Sequence, residues 1–320
     1  MPSETKRYNA FSDLLKREFD CRVQRISVDA GFSCPNRDGT VGFGGCIYCG
    51  GQGSGSHGIL PGATIREQLE HGKEIMTRKY KAKLFIAYFQ AYSNTHAPVE
   101  KLRRFYDEAL AVPDVVGLIV GTRPDCLSPE VLDLLGEYAR NGWFWLELGM
   151  QSHLDRSLAY LRRGHDFKSF EDAVRRAQGV GLRICAHVML GLPGESREEM
   201  LEGAGVLNRL GVNGVKLHLL HVMKGTVLEE NYLRGEVATM ERDDYVEVVC
   251  DYLERLHPDI VIQRLTGDGG RDHLVAPLWS LKKFELLNAI DSELERRGTR
   301  QGEKQVPGFN VEHRTRVFRG

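Results

Sequence analysis

Three cysteines, Cys34, Cys46 and Cys49, fall within sixteen positions of this sequence. Two residues separate Cys46 from Cys49, so a single turn can bring both thiols to one metal ion or cluster. Eleven residues separate Cys34 from Cys46, and the first thiol joins the other two only if that stretch folds back. Gly39, Gly42, Gly44 and Gly45 lie within it and tolerate the φ > 0 turns and close backbone approach that folding back needs. Three thiolates suit two chemistries. A [4Fe–4S] cluster on three cysteines keeps one iron open to an outside ligand. A zinc ion wants a fourth protein ligand, for which His57 is the candidate, and the site is then structural or hydrolytic. The plain alternative is a glycine loop with incidental cysteines. Gly53 to Gly58 matches G-x-G-x-x-G but follows the cysteine loop rather than a strand, so a dinucleotide fingerprint is excluded.

Further polar residues gather where strands are expected to end: Gln90 to Thr95, Gly121 to Asp125, Glu147 to Ser152, His187 with Gly191 to Gly194, and His221 with Lys224. The strands before them are short, rich in Val, Ile, Leu and aromatics, and bounded by Gly, Pro or Asn: 24–29, 84–89, 115–120, 144–148, 183–190 and 215–220. Between them the spacing predicts amphipathic helices. Thr64 with Glu67 and Ser196 with Glu199 form capping boxes, Ser128 precedes Pro129 at a first turn, and Ser169 with Asp172 marks another start. Six strand–helix repeats about 30 residues apart imply a parallel sheet with right-handed crossovers. In parallel barrels the C-terminal strand ends carry the ligand site. After residue 220 helices are expected over 241–256 and 281–297, around a strand at 260–264. The expected organisation is an N-terminal segment (1–24), a barrel core (25–225) and a C-terminal extension packed on it (226–320).

The 320 residues carry 43 basic and 44 acidic side chains, a formal net charge of −1. That balance excludes a strongly basic nucleic-acid coat protein but allows a local basic patch. No run reaches the roughly 18 apolar residues of a membrane span, and the polar start lacks a signal-peptide core, so the expected location is the cytoplasm. Seven cysteines without a disulfide-like pattern fit that location. Of the scattered ones, Cys126, Cys185 and Cys250 are expected as small buried hydrophobes. Cys21, ahead of the first strand, is not counted as a ligand.

With these segments in view the sequence resembles radical S-adenosylmethionine (SAM) enzymes, in the branch containing the Elongator catalytic subunit and oxygen-independent coproporphyrinogen oxidase. The matching residues are Cys34, Cys46 and Cys49, Thr122 to Asp125, Glu147 to Ser152, Arg163 to His165 and Gly191 to Gly194. It is more similar still to the YhcC/YtqA family, a likeness over nearly the whole chain that includes residues 34–39, 88–92 and 276–279. The usual spacing C-x3-C-x2-C is widened here in its first gap, as in the Elongator-like branch. The resemblance implies an α/β fold, a partial (β/α)6 TIM-like barrel with a small α/β C-terminal extension. It implies a [4Fe–4S] cluster on Cys34, Cys46 and Cys49, and reductive cleavage of SAM to a 5′-deoxyadenosyl radical that abstracts hydrogen from substrate. SAM is then met by Tyr48 beside adenine, Arg163 at the carboxylate, Gln151 and His187 at the ribose, and Gln90 near the amino group. Where relatives carry Glu at the end of the third strand this sequence has Gly121, and Glu147 is the residue expected to cover that contact. Cys126 is a candidate for a hydrogen-atom relay, and Lys216, His218, His221, Lys224 and Arg264 for substrate contacts. The expected partners are tRNA, with a wobble uridine as target, and an external one-electron reductant of flavodoxin or ferredoxin type. The remaining alternatives are a radical SAM enzyme acting on a small molecule and a simple electron-transfer iron–sulfur protein.

Overall fold

The computed structural model describes residues 6–50, 62–267 and 269–305. His57, Asp268 and the basic tail residues Arg314, Arg316 and Arg319 lie outside them, and with them the fourth zinc ligand considered above. The strands are β1 Val23–Val28, β2 Leu84–Phe89, β3 Val115–Thr122, β4 Trp143–Gln151, β5 Ile184–Leu190, β6 Gly214–Leu219, β7 Val222–Met223, β8 Val261–Arg264 and β9 Leu274–Ala276. The helices are α1 Phe11–Phe19, α2 Ile65–Tyr80, α3 Val99–Leu110, α4 Pro129–Asn141, α5 Asp155–Tyr160, α6 Phe167–Gly179, α7 Arg197–Leu210, α8 Val227–Leu233, α9 Arg242–Arg255 and α10 Lys283–Arg297.

Among the described residues seven strands form one all-parallel sheet in the order β1-β2-β3-β4-β5-β6-β8, a curled partial barrel. The six expected strands are all present, and β8 adds a seventh from the C-terminal part. Alternation along each strand sorts side chains between two environments. Phe85, Ala87 and Phe89 of β2, Leu146 and Leu148 of β4, and Ile184, Ala186 and Val188 of β5 face the helices in the main core. Ile86, Ile119, Trp143, Trp145 and Cys185 face inward and form a second cluster with Phe11 and Leu15 of α1. That cluster fills the end of the barrel where the strands begin. Residue 10 bridges in parallel to Ile262, so α1 is tied to the open edge at β8 as it plugs the end.

Both capping boxes form, and Ser128 accepts from the Val131 N–H. The start of α6 differs: Asp166 is the cap and accepts from the Ser169 N–H, three residues before the expected position. No described helix is long and apolar enough to cross a membrane.

Candidate active site

The eleven-residue gap closes as a small hairpin. Val41 and Gly42 N–H groups donate to Pro35 O at 2.8 and 3.1 Å, Gly45 N–H donates to Asn36 O at 2.8 Å, and Asp38 bridges to Phe43. Gly39, Gly44 and Gly45 have φ between +80° and +91°. Gly42 does not; it is required because a Cβ there would stand 2.9 Å from Asn36 Oδ1. The hairpin returns Cys46 toward Cys34, and all three cysteines line one cavity at the C-terminal strand ends. Asn36 Nδ2 donates to Arg162 O at 2.5 Å and to Cys46 Sγ at 3.5 Å. Arg37 donates to Cys49 O and Gly50 O, both at 2.7 Å, and stacks on Tyr92.

The rest of the cavity comes from the other strand ends. Gln90 follows β2, Gly121 is the penultimate residue of β3, Gln151 ends β4, His187 and Met189 lie on β5, His218 on β6 and Arg264 on β8. Gln151 has φ +67° at a register shift between β4 and β5, a bulge that turns its side chain to the cavity. Arg163, buried, donates from Nη1 to Tyr48 OH at 3.1 Å and Cys46 Sγ at 3.4 Å, and from Nη2 to Gly149 O at 3.2 Å. Its Nε is buried without a hydrogen-bond partner among the described residues. A Cβ at Gly149 would lie 2.8 Å from Gln151 Nε2 and 3.0 Å from Arg163 Nη2, so glycine keeps both side chains in place. Arg123 holds this corner from behind, donating to Arg163 O at 2.6 Å while pairing with Asp125.

Thus Tyr48, Gln90, Gln151, Arg163 and His187 are brought together around the three cysteines. Glu147 is not, and the expectation that it replaces a carboxylate at Gly121 is corrected. It is fully buried beneath the cavity, where Lys216, Tyr88 and His187 engage its carboxylate. Among the described lining residues there is no carboxylate at all, against four arginines, Arg37, Arg123, Arg163 and Arg264. Cys126 lies beside the cavity rather than on its lining, and burial with Asp125 raises its thiol to about 12. Lys224 points away to Asp272 O. Cys21 packs against the plug at the other end of the barrel, and Cys185 and Cys250 are buried. Asn36, Arg37, Tyr92 and Arg123 were not singled out from the sequence. Their signal is position: each lies inside or beside a segment already marked for chemistry.

Burial alone would raise the Cys46 thiol, but Arg163, Arg123 and Asn36 outweigh it and hold the thiol below its ordinary range. For Cys49 burial prevails over the Arg37 hydrogen bond and the thiol is raised. A pocket with three free thiols, a guanidinium with an unused buried N–H and no facing carboxylate suits an anionic metal–thiolate centre beside a carboxylate-bearing ligand.

A family model described as the radical SAM superfamily matches residues 36–204, and one described as the radical SAM C-terminal domain matches 212–296. The chain is 42% identical to the uncharacterized protein YtqA of Bacillus subtilis over 93% of its own length and 92% of the relative's. It is 28% identical to a tRNA uridine(34) acetyltransferase of Methanocaldococcus infernus, covering 58% of this chain and 34% of that protein. The fold superposes on the archaeal Methanocaldococcus infernus Elp3 structure with a TM-score of 0.64 at 19% identity, over 88% of this chain and 64% of that one.

Proposed function

The chain belongs to the radical SAM superfamily of enzymes, and from that premise we propose that Cys34, Cys46 and Cys49 hold a [4Fe–4S] cluster and that the adjoining cavity takes SAM. Bound together, cluster and SAM supply one-electron cleavage of a sulfonium bond and a carbon radical that abstracts hydrogen from substrate. The protein's share is placement and exclusion. The hairpin between Cys34 and Cys46 presents three thiolates to one centre. Arg163 offers a planar, permanently charged fork to the SAM carboxylate, which lysine would not reproduce. Gln151 and His187 are assigned to the ribose and Tyr48 to the adenine. With Glu147 drawn inward, Gln90 is the side chain assigned to the SAM amino group. The plug at the strand starts closes that end of the barrel to water and oxygen.

The observation that carries this reading is the meeting of three cysteines, Arg163, Gln151 and His187 on one cavity. Anaerobically purified protein is expected to be brown and to hold about four irons per chain. With SAM and dithionite it should release 5′-deoxyadenosine. Colourless protein with one tightly held zinc would overturn the reading. For substrate we propose tRNA, at a wobble uridine. Two things support this: the activity named for the acetyltransferase relative, and a cavity lined by four arginines and, among the described residues, by no Asp or Glu. Loss of the gene should then leave a wobble-uridine precursor in tRNA hydrolysates, and unchanged nucleoside profiles would point to a small-molecule substrate.

A further inference from the structure

Below the cavity lies a charged group that the reading above does not use. Lys216 is fully buried, with Nζ 2.5 Å from Glu147 Oε1 and 2.6 Å from Oε2. The same ammonium donates to Tyr88 OH at 2.9 Å and sits 4.3 Å from the centre of that ring. Tyr88 OH in turn donates to Glu147 Oε2 at 2.7 Å, and His187 Nε2 lies 2.8 Å from the same oxygen. Glu147, Cys185 and His187 bring three ligand-type atoms within 4.8 Å of one another, the grouping of a metal trio. Burial lowers Lys216 to about 7, opposed by the Glu147 carboxylate 2.5 Å away, so the pair itself supplies the cation at the carboxylate without a metal.

The donors around Glu147 fix the state of His187. An ionised carboxylate has no hydrogen to give, and Lys216 and Tyr88 both donate to it. His187 Nε2 must therefore carry a hydrogen and donate as well. In a neutral ring, Nδ1 is then an acceptor. Nδ1 makes no hydrogen bond among the described residues, and the ring lines the cavity.

We propose that Lys216 is a positioning residue: by keeping Glu147 ionised and neutralised, it holds His187 as a neutral ring whose Nδ1 accepts at the cavity floor, so that the floor selects a ligand bringing a hydroxyl or N–H donor. This deepens the assignment of His187 to a ribose hydroxyl and rests on it for the ligand. The groups facing the ring are Glu147 from β4, Lys216 and His218 from β6 and Arg264 from β8, with Tyr88 of β2 and Arg25 of β1 behind them. Burial lowers the proton affinity of His187, Glu147 raises it, and Lys216 and Arg264 lower it again. Removing the Lys216 charge leaves Glu147 to draw a proton onto the imidazole. Nδ1 then becomes a donor, and a hydroxyl or N–H donor meets a second donor.

Two measurements on the full-length holoprotein test this. In protein with isotope-labelled histidine, NMR should show wild-type His187 as the neutral Nε2–H tautomer between about pH 6 and 8, and Lys216→Met should show it protonated at about pH 7. In parallel, wild-type affinity for SAM should be flat over that range. Lys216→Met should lose about tenfold on going from the upper to the lower pH, and His187→Asn added to it should abolish the slope. If Lys216→Met does not fold, Glu147→Gln keeps the volume and removes the charge. His187 should then populate both tautomers, with SAM binding about three- to tenfold weaker. A wild-type ring that is charged or carries hydrogen on Nδ1, or a ring unaltered by Lys216→Met, overturns the proposal. Expected histidine signals in a protein that does not bind SAM would refute the ligand reading while leaving the positioning role intact.

Discussion

Arg163 joins three structural partners, Cys46 Sγ, Tyr48 OH and Gly149 O, through hydrogen bonds a lysine cannot all make. Arg163→Lys is therefore expected to keep its iron but bind SAM at least tenfold more weakly, since one hydrogen bond to a charged group is worth about 1.5–3 kcal/mol. Calorimetric titration with iron analysis checks this, and unchanged affinity would remove Arg163 from the binding role. Gly149→Ala tests the same corner from beneath. Its Cβ would displace only the ends of the Gln151 and Arg163 side chains, so SAM binding should fall far more than thermal stability. The cysteine triplet was legible because spacing alone restricts what it can do, and Arg163 through family likeness. Asn36 and Arg37 were less so, because a non-repeating loop has no periodicity to say which side chains turn inward. Glu147 shows another limit. Its alternation with Gly149 and Gln151 marks it as facing the barrel interior, but not whether it aims toward the cavity or toward Lys216. The signal lay on another strand, where a lysine stands at an inward position of β6, opposite His187.

At the scale of elements, the strands were legible because their helix-facing residues form continuous apolar series, and α2, α4 and α7 because their caps are local chemistry. The start of α6 was misplaced because both Asp166 and Ser169 are capping residue types. Asp166 Oδ1 accepts from the Ser169 N–H at 2.8 Å and from its hydroxyl at 2.6 Å, which makes Ser169 the third helical residue. Asp166→Ala should cost about 1 kcal/mol in thermal or denaturant unfolding, and Ser169→Ala clearly less; the reverse order would restore the later start. In the C-terminal part, α7, α9 and α10 are joined through charge. Arg297 pairs with Asp251, Glu254 and Glu293, Arg197 pairs with Asp251, and Lys304 with Glu254. Burial disfavours ionisation of Asp251 and Glu254, yet the arginines around the first and Lys304 with Thr299 at the second lower both. Arg296 and Arg297 lower Glu293 to about 2. Carboxyls with depressed folded-state values stabilise fully above their unfolded range and less as pH falls. The stability these carboxyls contribute should therefore be flat above about pH 5 and decline from there toward pH 2. In Arg297→Met that decline should be shallower and begin from a lower plateau, and an unchanged acid limb would show that the network adds no pH-dependent stability.

As a whole molecule the barrel is polar along its axis, plugged where its strands begin and open to the cysteine cavity where they end. This polarity divides a basic stretch that looks continuous in sequence. Residues 66–104 carry nine Lys or Arg against four Glu, but Arg78, Lys79, Lys81 and Lys83 lie at the end of α2 and the entry to β2, on the plugged side. Arg162 and Lys168 are exposed at the cavity end, between β4 and the first turn of α6. Sequence position gave the charge count but not its direction, because the two ends of a crossover helix such as α2 lie at opposite ends of the barrel. A tRNA that delivers a base into the cavity must track its phosphates over the open end. Reversing Lys79, Lys81 and Lys83 together to Glu should therefore leave tRNA affinity within about twofold of wild type. Arg162→Glu with Lys168→Glu should weaken it and reduce the slope of log affinity against log salt by about one for each phosphate that no longer meets a cation. Filter binding across a salt series separates the two surfaces. If the α2 reversal is the one that abolishes binding, tRNA docks on the plugged side and cannot present its base to the cysteine cavity, and the tRNA assignment fails.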